Sequence, residues 1–280
     1  MKKTILITGA SSGIGKAASL YFAKKDWNVI ATMRSPEQET ELVNESNILV
    51  AKLEVTDPAT IQTAIEKSLE KFGRIDALLN NAGYGLRGLF EAITPEQIRA
   101  QFDVNVFGVM NVTRAILPYF RKQQEGIIVN VTSGVGKIPF PLVSVYTASK
   151  YAVEGFAEAL AYEVESQNIK VKIIEPGYVA TNFQQRAFGG SEDREAPADY
   201  HQFIEETNAL FAGLSGSKTA SAEDVAATIY TAVTDGTHTL RYIAGPDIEA
   251  MLAARKDKNE QEYVDFLRGL FAPNGFENRK

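Results

Sequence analysis

Ser133, Tyr146 and Lys150 are the residues whose types and spacing could do chemistry. Tyr146 follows Ser133 by thirteen positions, and Lys150 follows Tyr146 by four. A free tyrosine titrates near 10 and is a poor base at neutral pH. A lysine ammonium one helical turn away favours the phenolate and draws that pKa down. A catalytic acid or base works best when it titrates near the working pH. A serine hydroxyl aimed at the same point hydrogen-bonds a carbonyl or alkoxide oxygen. Together the three suit proton transfer to or from an alcohol oxygen. The Tyr-x-x-x-Lys spacing is not diagnostic by itself, because Tyr21-Phe-Ala-Lys-Lys25 repeats it in what reads as a packed and solvated early helix.

Such groups need elements to aim them. Residues 126–132, Gly-Ile-Ile-Val-Asn-Val-Thr, form an apolar run that reads as a buried strand. From Val145 the apolar spacing becomes three and four, with Ala148, Ala152, Val153, Phe156, Ala157, Leu160 and Ala161. Tyr146 and Lys150 then share one helix face, and Ser133 stands at the carboxyl end of the strand, where α/β sheets bind ligands.

The amino-terminal stretch supplies a second constellation. Residues 4–8 read as a buried strand, Gly9-Ala-Ser-Ser-Gly-Ile-Gly15 follows, and Ala17, Ala18, Leu20, Tyr21, Phe22 and Ala23 begin a helical stripe. Strand, glycine turn and helix is the context a dinucleotide-binding loop requires. Its glycines allow close approach to a pyrophosphate, which meets the free N–H groups of the helix start. The second strand, 27–33, ends in Met33-Arg34-Ser35 without the carboxylate that holds a ribose 2′-hydroxyl in NAD sites. Arg34 suits a 2′-phosphate, so NADP(H) is expected over NAD(H).

Further strands are expected at 47–53, 75–79, 169–174 and 241–244. Asp57-Pro58 caps the helix that follows the third strand, and Thr94-Pro95-Glu96-Gln97 starts another that runs to about residue 121 and includes Asn105. Asn105 lies among Val104, Val106 and Phe107, which points to a structural hydrogen bond or a helix distortion. Ser221-Ala-Glu-Asp224 caps a later helix. Strands alternating with helices imply an α/β fold, a Rossmann-type doubly wound parallel sheet of about seven strands. We expect a single domain over 1–280. Residues 182–218, with Phe183, Phe188, Tyr200, Phe203 and Phe211 beside a charged run at 192–195, read either as a substrate lid or as a surface helical hairpin. Residues 246–280 read as a charged helical extension that packs as a terminal cap.

Composition excludes several classes. The chain has 280 residues, 45% hydrophobic and 23% charged, with a formal net charge of -6, so it lacks the basic footprint of a nucleic-acid binder. No apolar run reaches the roughly 20 residues of a membrane span. Cysteine is absent, which excludes thiol nucleophiles and disulfides and fits a cytoplasmic location. Its two histidines, His201 and His238, have no ligand-spaced partner, so no metal is expected.

The motifs Thr8-Gly9-x-x-x-Gly13-x-Gly15, Asn80-Asn81-Ala82-Gly83, Asn105, Ser133, Tyr146-x-x-x-Lys150 and Pro176-Gly177 with Thr181 occur in one order. Over roughly its first 245 residues the chain resembles the short-chain dehydrogenase/reductase family. Residues 81–88 and 244–247 are similar to the branch that includes 17β-hydroxysteroid and retinol dehydrogenases. The resemblance implies that Tyr146 is the general acid/base, that Lys150 lowers its pKa and binds the nicotinamide ribose, and that Ser133 polarises the substrate oxygen. Asn105 would hold a water linking Lys150 to solvent. Gly9, Ser11, Ser12, Gly13, Ile14 and Gly15 would surround the phosphates, and Asn81, Ala82 and Gly83 would lie along the adenosine ribose. Pro176, Val179 and Thr181 would hold the carboxamide. Glu54 stands where the family usually has Asp beside the adenine. The implied function is hydride transfer between NADP(H) and a carbonyl or secondary alcohol of a lipophilic small molecule, in a homodimer or homotetramer. A redox sensor that binds NADP without turnover, and a nucleotide-dependent isomerase or dehydratase, are the alternatives.

Overall fold

A computed structural model describes residues 2–179, 181, 196–215 and 219–271. Seven parallel strands form one sheet: β1 (Thr4–Ile7), β2 (Asn28–Met33), β3 (Ile48–Lys52), β4 (Ala77–Asn80), β5 (Gly126–Val131), β6 (Ile169–Pro176) and β7 (Arg241–Ala244). Their order is β3-β2-β1-β4-β5-β6-β7. This is the Rossmann-type α/β architecture expected from the sequence. The order reverses between β1 and β4, which pair with Ile5 opposite Ala77. The crevice beyond the carboxyl ends at that reversal is the ligand position of such sheets.

Parallel strands covered on both faces are apolar throughout, and β1 shows how the pleat divides them. Ile5 and Ile7 join Phe22 of α1 (Gly13–Lys24) and Val225 and Ile229 of α7 (Ala222–Thr234). Leu6 points the other way, to Ile61 of α2 (Pro58–Phe72), Ile116 of α4 (Gly108–Gln123) and Leu160 of α5 (Ser144–Val164). All three β1 residues are fully buried, each worth about 1.5–3 kcal/mol relative to exposure.

The expected caps form. Asp57 accepts from the Ala59 N–H with Pro58 at the first helical position. Thr94 and Gln97 make a reciprocal capping box at the start of α3 (Pro95–Phe102), and Ser221 and Asp224 make another on α7.

One expected helix is two. A π-helical turn, Asp103–Phe107, separates α3 from α4. An inserted residue of this kind widens the turn and re-aims a side chain, and the residue it carries inward is Asn105.

The segment after β6 is described in part. Phe183, Phe188 and the charged run at 192–195 lie outside the described residues. The remainder includes α6 (His201–Ser215), whose Ile204 packs with Leu89, Leu142 and Ala196. The carboxyl-terminal helices are α8 (Pro246–Asp257) and α9 (Glu260–Phe271). Ile248, Tyr263 and Leu267 from them bury with Ile138, and Phe140 packs against the group. Among the described residues no helix is long and apolar enough to cross a membrane.

Candidate active site

A cleft of about 1020 Å³ runs along the carboxyl ends of the strands. Gly9, Ser11, Ser12, Gly13 and Ile14 line it from the β1–α1 turn, and Arg34 and Glu54 line it beyond β2 and β3. Asn81, Ala82 and Gly83 face it after β4, Ser133 after β5, and Pro176, Val179 and Thr181 after β6. Tyr146 and Lys150 rise into it from α5. Two expected site residues, Gly15 and Asn105, stand behind this lining.

The glycine turn is shaped for a bulky anion. Gly9 adopts φ +68° and Gly13 φ +56°, the left-handed region that glycine enters without strain. Gly15 has a different reason: a Cβ there would stand 2.4 Å from the Gly9 carbonyl oxygen and 2.5 Å from Asn81 Nδ2. Asn81 Nδ2 donates to the carbonyls of Thr8 (3.0 Å) and Gly9 (3.1 Å), which locks the turn to the end of β4. Ser12, the residue before α1, makes no side-chain cap, and the first turn carries no acid. Free N–H groups at a helix start without a competing carboxylate match a pyrophosphate. The cleft beyond β2 and β3 is bounded by Arg34 and Glu54, whose Nε and Oε2 lie 3.9 Å apart. The Arg34 side chain is 78% exposed.

Ser133, Tyr146 and Lys150 meet at the cleft floor. Ser133 is in extended backbone at the end of β5, and its hydroxyl accepts from the Val135 N–H at 3.3 Å. Tyr146 is hydrogen-bonded to Ser133. Lys150 Nζ donates to the Val131 carbonyl at 2.9 Å and lies 5.7 Å from the Tyr146 ring centroid.

The electrostatics differ from the sequence expectation in one respect. Burial raises the Tyr146 phenol well above its ordinary range, and the Ser133 hydrogen bond opposes this only in part. The lysine is the group that moves down: burial brings Lys150 to about 8, against the pull of Glu154. The spacing argument assumed a solvated pair, whereas both groups sit in a site that disfavours charge.

Asn105 is buried, and its side chain spans two elements. Its Oδ1 accepts from the Tyr84 N–H at 3.1 Å, and its Nδ2 donates to the Tyr84 carbonyl at 2.9 Å and to Ser149 Oγ at 3.2 Å. Ser149 Oγ in turn donates to the Tyr146 carbonyl at 2.7 Å. Asn105 thus joins the loop after β4 to the α5 turn that carries Tyr146.

Sequence reasoning placed Phe211 in a possible substrate lid but missed the rest of the far end of the cleft. Asn208 and Phe211 of α6 and Asp247, Ile248 and Met251 of α8 face it. The extension expected to be a terminal cap therefore supplies a wall of the site. Asp247 Oδ2 accepts from the Tyr178 N–H at 2.7 Å and fixes the loop after β6. Its position after the last strand and the match at 244–247 hinted at this, and Gly245, at φ +153°, is the bend that leads into α8.

A glycine-rich turn next to a buried Ser–Tyr–Lys group is the arrangement that a nicotinamide-dependent oxidoreductase on a Rossmann-type sheet would use. Comparison with known proteins agrees. The family model described as short chain dehydrogenase matches residues 3–191. An uncharacterized oxidoreductase of Schizosaccharomyces pombe is 39% identical over 233 residues, covering 83% of this chain and 96% of the relative. The 3-oxoacyl-[acyl-carrier-protein] reductase FabG of Thermotoga maritima is 42% identical over 189 residues, covering 66% and 77%. The solved structure of ElxO with NADP bound superposes with a TM-score of 0.71 at 30% identity, covering 87% of this chain and 98% of the other. The chain belongs to the short-chain dehydrogenase family, and it is an oxidoreductase acting between alcohol and carbonyl.

Proposed function

We propose that this chain is an NADP(H)-preferring oxidoreductase of lipophilic ketones or secondary alcohols, with Tyr146 as its acid/base. One observation carries the reading: the buried Tyr146, hydrogen-bonded to Ser133, stands where the glycine-built nucleotide cradle meets an apolar pocket end. Phe140, Phe211, Ile248 and Met251 line that end, and the Phe140 and Phe211 rings stack at 6.0 Å. Aromatic and aliphatic walls with few polar groups favour a lipophilic ligand, which keeps a steroid-like or retinoid-like ketone in view.

Gly9 to Gly15 would hold the phosphates, Arg34 the 2′-phosphate, Lys150 the nicotinamide ribose, and Pro176, Val179 and Thr181 the carboxamide. The bound nicotinamide supplies the hydride to the carbonyl carbon, or accepts it in the reverse direction. Tyr146 gives its phenolic proton to the oxygen as that bond forms, and Ser133 hydrogen-bonds the same oxygen. A phenol that burial keeps protonated is the form reduction needs. Lys150 beside it favours the phenolate that the transfer leaves. Arg34, exposed at the end of a strand that lacks a carboxylate, supports the NADP preference. Phe107 and Tyr162 are exposed on the elements that carry Asn105 and Tyr146, which supports a homodimer or homotetramer joined through those elements.

NADPH consumption across a panel of hydrophobic ketones, aldehydes and quinones tests the reading. Turnover that disappears in Tyr146→Phe while NADPH still binds is the expected result. Turnover retained in that variant refutes the assigned role.

A further inference from the structure

Behind the cleft floor lies a set of charges that the reaction described above does not use. Tyr146, Lys150, Glu154 and Glu158 follow one another on α5 at intervals of four, so they line one helix face. Glu154 is 2% exposed, and both its oxygens are engaged. Oε1 accepts from Thr132 Oγ1 at 2.7 Å, and Oε2 lies 3.1 Å from Arg241 Nε and 3.6 Å from Lys137 Nζ. Arg241 reaches in from β7 at the sheet edge and also meets Glu158 Oε2 at 3.0 Å and Glu175 Oε1 at 3.5 Å. Thr132 directly precedes Ser133, and Glu175 directly precedes Pro176. The groups facing Glu154 are therefore Lys150, Tyr151 and Glu158 from its own helix, Lys137 from the turn after β5, Glu175 from β6 and Arg241 from β7.

The turn after β5 closes over this pair of side chains. A Cβ on Gly136 would stand 3.1 Å from Glu154 Cγ and 3.6 Å from Lys150 Cβ. A buried carboxylate is tolerated when cations and hydrogen-bond donors surround it. Here Arg241, Lys137 and Thr132 satisfy Glu154, so that it stands as a fixed negative charge one turn behind Lys150. The hydrogen-bond partner of Lys150 is a neutral carbonyl, that of Val131.

We propose that Glu154 is a positioning residue for the reaction: pinned by Arg241, Lys137 and Thr132, its carboxylate keeps Lys150 charged and held beneath Tyr146. This rests on the reading of Tyr146 and Lys150 given under Proposed function. The electrostatics agree with the geometry. Burial brings Lys150 to about 8, close enough to neutrality that losing a supporting charge would leave it partly discharged, and Glu154 is the group that opposes the fall. Burial, reinforced by Glu154, pushes Glu175 up to about 7.

The test measures Lys150 directly in the full chain, by following its side-chain carbon and nitrogen resonances against pH, assigned by their loss in Lys150→Met. In Glu154→Gln the Lys150 titration should fall by about one pH unit. Glu154→Asp keeps the charge and should return most of that fall. The alkaline limb of kcat/KM should move down with the Lys150 titration in Glu154→Gln. Simple loosening of the core predicts the opposite sign, because water reaching Lys150 would raise its titration toward 10.5. An unmoved or raised Lys150 titration in Glu154→Gln overturns the proposal, as does a lowered titration that leaves the pH–rate limb in place. Tyr146→Phe tests the parent reading separately: a variant that turns over refutes Tyr146 without touching the Lys150 titration.

Discussion

Replacing Lys150 by Met should make the free protein more stable at neutral pH while removing turnover. The drop of the lysine from its ordinary 10.5 to about 8 corresponds to about 3 kcal/mol, since one pH unit is about 1.4 kcal/mol. Burial causes that drop and Glu154 opposes it, so it measures the net cost of holding the ammonium in the folded site. Met fills a similar volume without the charge, but it leaves the Val131 carbonyl without the 2.9 Å bond from Nζ, a loss of about 1 kcal/mol or somewhat more. The net expectation at pH 7 is a gain of about 2 kcal/mol. Its sign with pH follows from linkage. A base whose folded pKa is depressed destabilises the fold wherever the unfolded chain keeps the proton and the folded chain resists it. That destabilisation is complete below about 8 and fades as the pH rises to 10.5. Urea unfolding of wild type and Lys150→Met at pH 7, 9 and 10.5 should show an advantage that is largest at pH 7 and falls away by pH 10.5. A variant less stable than wild type at pH 7, or an advantage that persists unchanged at pH 10.5, would refute the burial argument.

Two further perturbations bear on other parts of the site. Arg34→Ala should weaken NADPH binding by about 10- to 100-fold, from loss of charged hydrogen bonds of about 1.5–3 kcal/mol, and leave NADH binding nearly unchanged; equal losses in a fluorescence titration would sink the 2′-phosphate assignment. Glu175→Gln should stabilise the fold at pH 8 and have little effect at pH 4. An acid raised to about 7 in the folded chain binds its proton more tightly there than when unfolded. Its destabilisation therefore grows as pH rises from about 4.5 and levels off above 7, reaching at most about 3 kcal/mol. Thermal melts at the two pH values report it, and equal effects at both would contradict the assignment.

The legible features of this chain are those written over a few consecutive residues. The β1 run and its glycine turn declare themselves because a buried parallel strand is continuously apolar and a phosphate loop excludes side chains. The caps at Asp57, Thr94 and Ser221 follow from side chains that reach N–H groups two or three residues on. Tyr146 and Lys150 share a helix face because their separation is one turn. Asn105 was recognisable as out of place among apolar neighbours, but the π-helical turn that aims it depends on bonds to Tyr84 and Ser149, 21 and 44 residues away.

The amino-acid sequence by itself determined the strand–helix alternation, the glycine turn after β1 and the identity of the Ser–Tyr–Lys group, since each is set by local periodicity or by residue type at short spacing. Tertiary structure alone decided the direction in which Tyr146 and Lys150 are shifted. Whether the lysine lowers the tyrosine or burial raises it depends on how much water the packed site admits, which no spacing encodes. It also decided that Arg241 clamps Glu154 across 87 positions and that α8 turns back to wall the cleft. Those contacts arise where distant segments meet at the edge of the sheet, and the chain carries no local pattern that names the partner.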